Sequence, residues 1–419
     1  MKKLFRIFGL LILTPLCIYW MYSAVFHTTE YVKGNDYVDY LNKNKTVFST
    51  DFELDKSFYE KQFYMVGEIH GFAKSPEIDF KLFKHLNQKT GVRYYMSEVD
   101  FSQAYFLNQY LKTGNDTIIH YALENWLVVQ ARNNKDYYQK WKDLYSYNAG
   151  LPEDKKIVVL GCDVVSDIQL FKAHLKSLLT PADYKDLFAS ADKRVDFLKG
   201  IKSFMADDKK QNSFKEKYGL GFTSLMHLME TMMQTEQRGR EEKIFKNFKK
   251  LVALHELEDE KIYSFYGNFH ALQASTSDGF EPLAAKIKQS DLAMGQNMVS
   301  LNMLFNDSEM IMPSNGLPSF LQTGPNWSEV GFKYDSLLLF YLEGIKDLMR
   351  TSKEHTTTFY KMNGTDSPYY GTNRLMSVKM ILPFLENQKI EIDENLGSAD
   401  YSQYLIFVRN SAAAQPYEL

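Results

Sequence analysis

The feature that most limits this chain's fold is a series of short, uninterrupted apolar runs at residues 63–67, 93–99, 156–161, 261–266, 297–305, 336–341 and 404–408. Each has the length of one strand and is rich in Val, Ile, Tyr and Phe. Continuous rather than alternating apolar character is what strands buried on both faces show. Between the first two runs, Ser75-Pro76-Glu77 offers an N-cap followed by proline at the first helical position. Ile78, Phe80, Leu82, Phe83 and Leu86 then form a periodic apolar set, and Gly91 closes the unit. This βαβ pattern predicts an α/β fold, with a mainly parallel central sheet flanked by helices. Residues from about 180 to 256 carry helix-forming patterns without a strand-like run, and read as a helical insertion or cap. The Met-rich piece 225–233, which includes His227, reads as core packing within it. The Pro-, Gly- and Asn-rich piece 313–331 reads as a long loop.

At the N-terminus, Lys2, Lys3 and Arg6 precede an apolar stretch over 7–26. Roughly 20 apolar residues suffice to span a bilayer and exceed the usual signal-peptide core. The basic flank favours the cytoplasmic side, which sends the body of the chain outward. The expectation is a signal anchor over 1–27, with a cleaved signal peptide as the alternative, and therefore a single-pass membrane protein with a periplasmic domain. Residues 28–51 read as a polar, tyrosine-bearing tether, and 52–419 as the α/β domain.

A formal net charge of -3 leaves no basic excess to neutralise phosphates, so nucleic acid is not an expected partner. The 28 Tyr and 30 Phe are spread along the chain and read as core rather than as a stacking platform. Only Cys17 and Cys162 are present, one in the N-terminal segment and one in an expected buried strand, so no disulfide framework holds the fold. No Gly-x-Ser-x-Gly elbow precedes a helix, so the usual serine-hydrolase device is missing.

Polar residues fall in a consistent place. The first run ends in Gly67-Glu68-Ile69-His70, the second in Glu98-Val99-Asp100, the third in Cys162-Asp163 and the fourth in Gly267-Asn268-Phe269-His270. In open α/β sheets the ligand crevice lies outside the carboxyl ends of the strands, so four such ends predict one site. His70 and His270 each complete Gly-x-x-His, where glycine would let the backbone turn sharply as it leaves the sheet. Glu68, Glu98 and Asp163 are the accompanying carboxylates. Cys162 reads as a small buried hydrophobe, since nothing local would lower its thiol pKa. Arg132, Arg238 and Arg240 are each open between a solvated helix face and an anion clamp.

These motifs, in this order, resemble the erythromycin esterase-like proteins, which stand with the Tiki, TraB and haem-binding ChaN-like proteins in a wider superfamily. The resemblance rests on 67–71, Glu98, the stretch from Trp126 to Arg132-Asn133, residues 158–163, residues 238–247 and Gly267-Asn268-Phe269-His270. It implies a hydrolase with His70 as general base on water, Glu68 and Glu98 orienting it, and His270 and Arg132 completing the pocket. The Glu-x-His spacing is closer to the Tiki-like branch, for which divalent-metal-dependent peptidase activity is reported. Two chemical routes stay open on these residues. A neutral imidazole held by a carboxylate can deprotonate water. Alternatively His70, His270, Glu68 and Glu98 can bind Zn²⁺ or Mn²⁺ and activate a bound water. The expected substrate is a small molecule or peptide, and the rival reading is a haem- or metal-binding protein of the ChaN-like type.

Overall fold

The computed structural model describes residues 2–124, 133–188, 191–234, 239–337, 340–380, 392–393 and 395–416. Its centre is an eight-stranded sheet. In chain order the strands are β1 (Lys45–Val47), β2 (Phe63–Glu68), β3 (Tyr94–Asp100), β4 (Val158–Asp163), β5 (Ile262–Gly267), β6 (Met298–Asn306), β7 (Thr357–Lys361) and β8 (Tyr404–Arg409). Their order across the sheet is β1-β7-β8-β6-β2-β5-β3-β4. All pairings from β8 through β6, β2, β5 and β3 to β4 are parallel, and β7 runs against both its neighbours. The chain builds outward from β2 through β3 and β4 and returns to β5 beside β2. It then crosses to β6 on the other side of β2, and this reversal places a crevice at the carboxyl end of β2 and β5.

The apolar runs form strands because both sheet faces are covered. Tyr64, Val66, Tyr95, Tyr263 and Phe265 face one core with the helices Lys74–Thr90, Phe101–Thr113 and Lys135–Ala149. Phe63, Met65, Tyr94, Met96, Leu160 and Ile262 face the other, under Arg240–Leu254 and Leu283–Gln289. The alternation along each strand is thus between two apolar layers, as expected for a parallel sheet. Residues 180–256 hold the helices Pro181–Phe188, Arg194–Met205, Asp208–Tyr218, Gly221–Met233 and Arg240–Leu254, in agreement with the expected insertion.

Three expectations need correction. The run at 336–341 contributes no strand to the main sheet: Phe340–Leu342 pairs with Val378–Met380 in a separate two-stranded sheet. Much of 313–331 is closed by the hairpin Ser308–Pro313 with Trp327–Phe332. The expected tether is part of the fold, because helix Asn35–Lys43 buries Tyr40 and Leu41 and β1 forms a sheet edge. The N-terminal helix Lys2–Lys33 is also built in through its last turns. Arg374 donates from Nη1 to Glu30 Oε2 at 2.8 Å and from Nε to Asp347 Oδ2 at 2.8 Å, all three side chains being buried. Among the described residues no helix is long and apolar enough to cross a membrane.

A polar knot lies within the first apolar layer. Asp79 accepts from Lys140 Nζ at 2.9 Å, from Tyr263 Oη at 2.9 Å and from the Tyr95 hydroxyl, with Asp79 and Lys140 fully enclosed. The Lys140 ammonium also lies 4.6 Å from the centre of the Tyr137 ring. Removing one partner of such a pair leaves an uncompensated buried charge. Lys140→Met should therefore cost about 3–5 kcal/mol in urea unfolding, while Asp79→Leu combined with Lys140→Met should recover most of that loss. A single mutant as stable as the wild type would show that the pair carries no fold energy.

Candidate functional site

The strand ends expected to converge do so. Glu68 ends β2 and stands opposite Gly267, the last residue of β5, in the parallel register. Asp100 and Asp163 are likewise partners at the ends of β3 and β4. A methyl group built on Gly267 would lie 3.4 Å from His70 Nε2, 3.7 Å from Glu98 Oε2 and 3.7 Å from His270 Cδ2. His70, Glu98 and His270 therefore surround one small space beside Gly267.

The two site glycines have a different role from the one expected. Gly267 has φ −58° and ψ 148°, which any residue adopts, and Gly67 lies within β2. A Cβ on Gly67 would meet Asn302 Oδ1 at 2.2 Å and Ala271 Cβ at 2.9 Å, so this glycine is set by close packing. Gly267 leaves room at the crevice. The sharp turn is made by Gly71, with φ +94°, after which helix Lys74–Thr90 begins.

Two carboxylate–imidazole pairs face each other here. Glu68 is buried and its Oε1 accepts from His70 Nδ1 at 3.0 Å and from the Tyr137 hydroxyl. His70 itself is about a quarter exposed, its side chain at 27%. On the other side, Glu241 Oε2 accepts from His270 Nδ1 at 2.9 Å and from the Leu283 N–H at 2.9 Å. Burial pushes the His270 pKa down, but its hydrogen bond to Glu241 and the charges of Glu98 and Glu241 outweigh this, so it stands above the ordinary value.

Arg240 locks the remaining acids. Its Nη2 donates to Glu98 Oε1 at 2.9 Å, its Nε donates to Asp163 Oδ1 at 2.9 Å, and Nη2 also pairs with Asp163 Oδ2. Nη1 lies 3.4 Å from His270 Nε2. Burial disfavours the Arg240 charge, but Asp163 and Glu98 more than offset it and raise its pKa. Glu98 Oε2 accepts in addition from the Gly267 N–H at 2.8 Å.

This donor set does not suit the expected metal. The Arg240 guanidinium stands among Glu98, Asp163 and His270, where a cation would have to bind. Among the described residues no group of three or more His, Cys, Asp or Glu side chains is arranged to hold a metal ion. The expected ligands His70, His270, Glu68 and Glu98 instead stand in two hydrogen-bonded dyads, with Glu98 bound by Arg240.

Arg132 and Arg238 lie outside the described residues. Cys162 is buried and burial pushes its thiol up to about 12, in keeping with an inert packing role. His227 is buried in the helical cap, with its ring edge-on to that of Phe101. Sequence reasoning missed Tyr137 and Glu241 and left Arg240 undecided. Arg240 and Glu241 open a helix directly after Gly239, and acids in a first helical turn are common enough to hide a functional one. Tyr137 had no signal beyond being one aromatic among many.

Gly267→Ala isolates the site from the fold. The added methyl meets only ordinary contacts, so stability should change by no more than about 1 kcal/mol. It would nevertheless fill the space between the two histidines, and a misplaced reactant can cost on the order of 100-fold in rate. Full turnover by a folded Gly267→Ala would remove this space from the chemistry.

No family model and no curated protein matches the chain. Solved structures do. A Bacillus cereus protein matches with a TM-score of 0.65 at 12% identity, covering 92% of this chain and 99% of its own. A succinoglycan biosynthesis protein matches with a TM-score of 0.65 at 14% identity and the same coverage, 92% and 99%. The erythromycin esterase EreC, in its open conformation, matches with a TM-score of 0.56 at 12% identity, covering 86% of this chain and 94% of its own. At these identities the likeness speaks for the backbone architecture alone: the chain has the erythromycin esterase-like α/β fold.

Proposed function

We propose that this chain is a hydrolase that cleaves an ester or amide bond of a small-molecule or peptide substrate, with His70 as the base that activates water. The observation that carries this reading is the convergence of His70, Glu98 and His270 on the space beside Gly267. The presence of an erythromycin esterase among the fold relatives supports ester hydrolysis as the reaction class.

With Nδ1 held by Glu68, a neutral His70 ring offers Nε2 as an acceptor. A water bound there gives its proton to Nε2 while its oxygen bonds to the substrate carbonyl carbon. Collapse of the tetrahedral intermediate breaks the bond to the leaving group, which takes a proton from His270. The Arg240 guanidinium, beside His270, provides fixed positive charge for the developing oxyanion. The proton on His70 then passes to His270, directly or by exchange through solvent, which restores both rings.

We also place the chain at a membrane with its body outside the cytoplasm. Lys2, Lys3 and Arg6 beside the apolar 7–26 stretch support this orientation. The exposed Leu16, Ile18, Trp20, Met21 and Val25 on the N-terminal helix support burial of that surface against lipid. Protease added to spheroplasts should digest the body of the chain, and carbonate washing should leave it in the pellet. Protection from protease would reverse the orientation, and release by carbonate would remove the anchor.

Activity should follow the two dyads separately. General-base loss typically costs about 10²–10⁴-fold, so His70→Asn should lower kcat by that range while unfolding remains cooperative. His270 acts as an acid, and its folded pKa is raised. Its cationic form therefore persists above the reference value of about 6.5, and the rate should fall as pH rises through the raised value. The His270–Glu241 pair contributes stability that is fully present below the unfolded value and is lost on the same alkaline side. Glu241→Gln removes the carboxylate that raises the pKa, so the alkaline limb of the rate profile should move to lower pH. An unmoved limb would take His270 out of the acid role.

A further inference from the structure

A cavity of about 300 Å³ opens at His70. Glu68, His70 and Gly267 border it, while Glu98, Asp163, Arg240 and His270 are not on its wall. Most of its remaining lining is apolar, including Leu304 on β6, Leu405 on β8, Leu342 and Val378 on the small sheet, and Leu375 with Met376 before it. Phe332 and Tyr334 close another side, and burial pushes the Tyr334 phenol up to about 12, so it carries no charge at neutral pH. Asn268 and Asn302 bring amides to the wall, and among the described residues no Lys or Arg lines it.

The wall is held in place by an unusual backbone. Leu375 has φ +71°, a conformation that a bulky residue adopts only where its surroundings enforce it. The enforcing contact is next to it: Arg374 is clamped by Asp347 and Glu30, and its own backbone carbonyl accepts from the Ser398 hydroxyl. This knot turns Leu375 and Met376 toward the cavity. The Glu68–His70 pair sits where an apolar hole meets a polar one containing Arg240.

We propose that this cavity is the acyl-side subsite of the site described above, and that it takes a neutral, apolar acyl or aryl group of the substrate. The inference rests on the hydrolase reading for its chemistry but not for its binding preference. A substrate carbonyl beside His70 would point its oxygen toward Arg240 and lay its apolar group into the cavity. An anionic group would meet the Glu68 carboxylate, and no cation stands among the described wall residues to offset it, so the cavity favours neutral acyl groups over charged ones.

Two measurements on the full chain separate this inference from the reaction class. The first compares p-nitrophenyl acetate, hexanoate and decanoate with the nitrophenyl monoester of adipic acid, whose acyl chain matches hexanoate but ends in a carboxylate. Hexanoate should exceed adipate in kcat/KM by at least about tenfold, an increment of 1.4 kcal/mol. Met376→Trp, which fills the cavity from a loop, should shift the preference toward acetate relative to decanoate. The second measures binding without turnover: hexanamide should compete with 1-anilinonaphthalene-8-sulfonate or raise the unfolding midpoint, and sodium adipate should do neither. Turnover with equal rates on hexanoate and adipate would overturn the subsite while leaving the hydrolase intact. Hexanamide binding that Met376→Trp weakens, with no ester or amide cleaved, would keep the subsite and remove the hydrolase. Neither discrimination nor hexanamide binding would remove the subsite outright.

Discussion

The fork of Arg240 is the interaction on which this site depends. Glu98 and Asp163 stand at the ends of neighbouring strands and are both buried, and two carboxylates in one crevice repel each other unless a cation is shared between them. A planar guanidinium can satisfy both at once, which a lysine ammonium cannot do with the same geometry. Because Arg240 opens the helix Arg240–Leu254 after Gly239, with φ +70°, the same bonds fasten the helical insertion to the sheet. The insertion thereby delivers Glu241 to His270. One ion cluster sets both the packing of the cap and the charge of the crevice.

The two imidazoles follow from this arrangement and differ for physical reasons. His70 is partly exposed and reaches solvent, with a single carboxylate behind it that is itself steadied by Tyr137. His270 is enclosed between Glu241 and Glu98, and these acids favour its cation despite burial. Two similar side chains thus stand in different surroundings, one open to solvent and one enclosed by acids. The space between them survives because residue 267 has no side chain. Behind it, the Asp79–Lys140 knot steadies the helix that carries Tyr137, so support for Glu68 reaches back through the sheet.

Much of this was legible in the sequence. The central parallel strands announced themselves as continuous apolar runs, because burial on both faces leaves no alternation to misread. Glu68, His70, Glu98, Asp163 and His270 were found because a parallel sheet places successive strand ends on one edge. β1 and β7 were not found: they lie toward the edge of the sheet, are short, and are rich in Thr and Lys, so they lack the apolar signal. The metal ligand set found no support among the described residues for another reason. Residue types and strand ends say which groups converge but not where each hydrogen bond goes, and Arg240 stands between the acids where a cation would bind. The glycines were located correctly and explained wrongly, since close packing at Gly67 and free space at Gly267 are properties of neighbours far away in the chain.

The most direct test of this account is the ¹⁵N NMR titration of the His270 ring in the full chain. The account requires the ring to titrate above pH 6.5, with Nδ1 in a hydrogen bond that Glu241→Gln weakens, and to shift when Gly267→Ala fills the space it shares with His70. A His270 ring that titrates at or below 6.5, indifferent to both substitutions, would contradict the proposed acid and the convergence on which it rests.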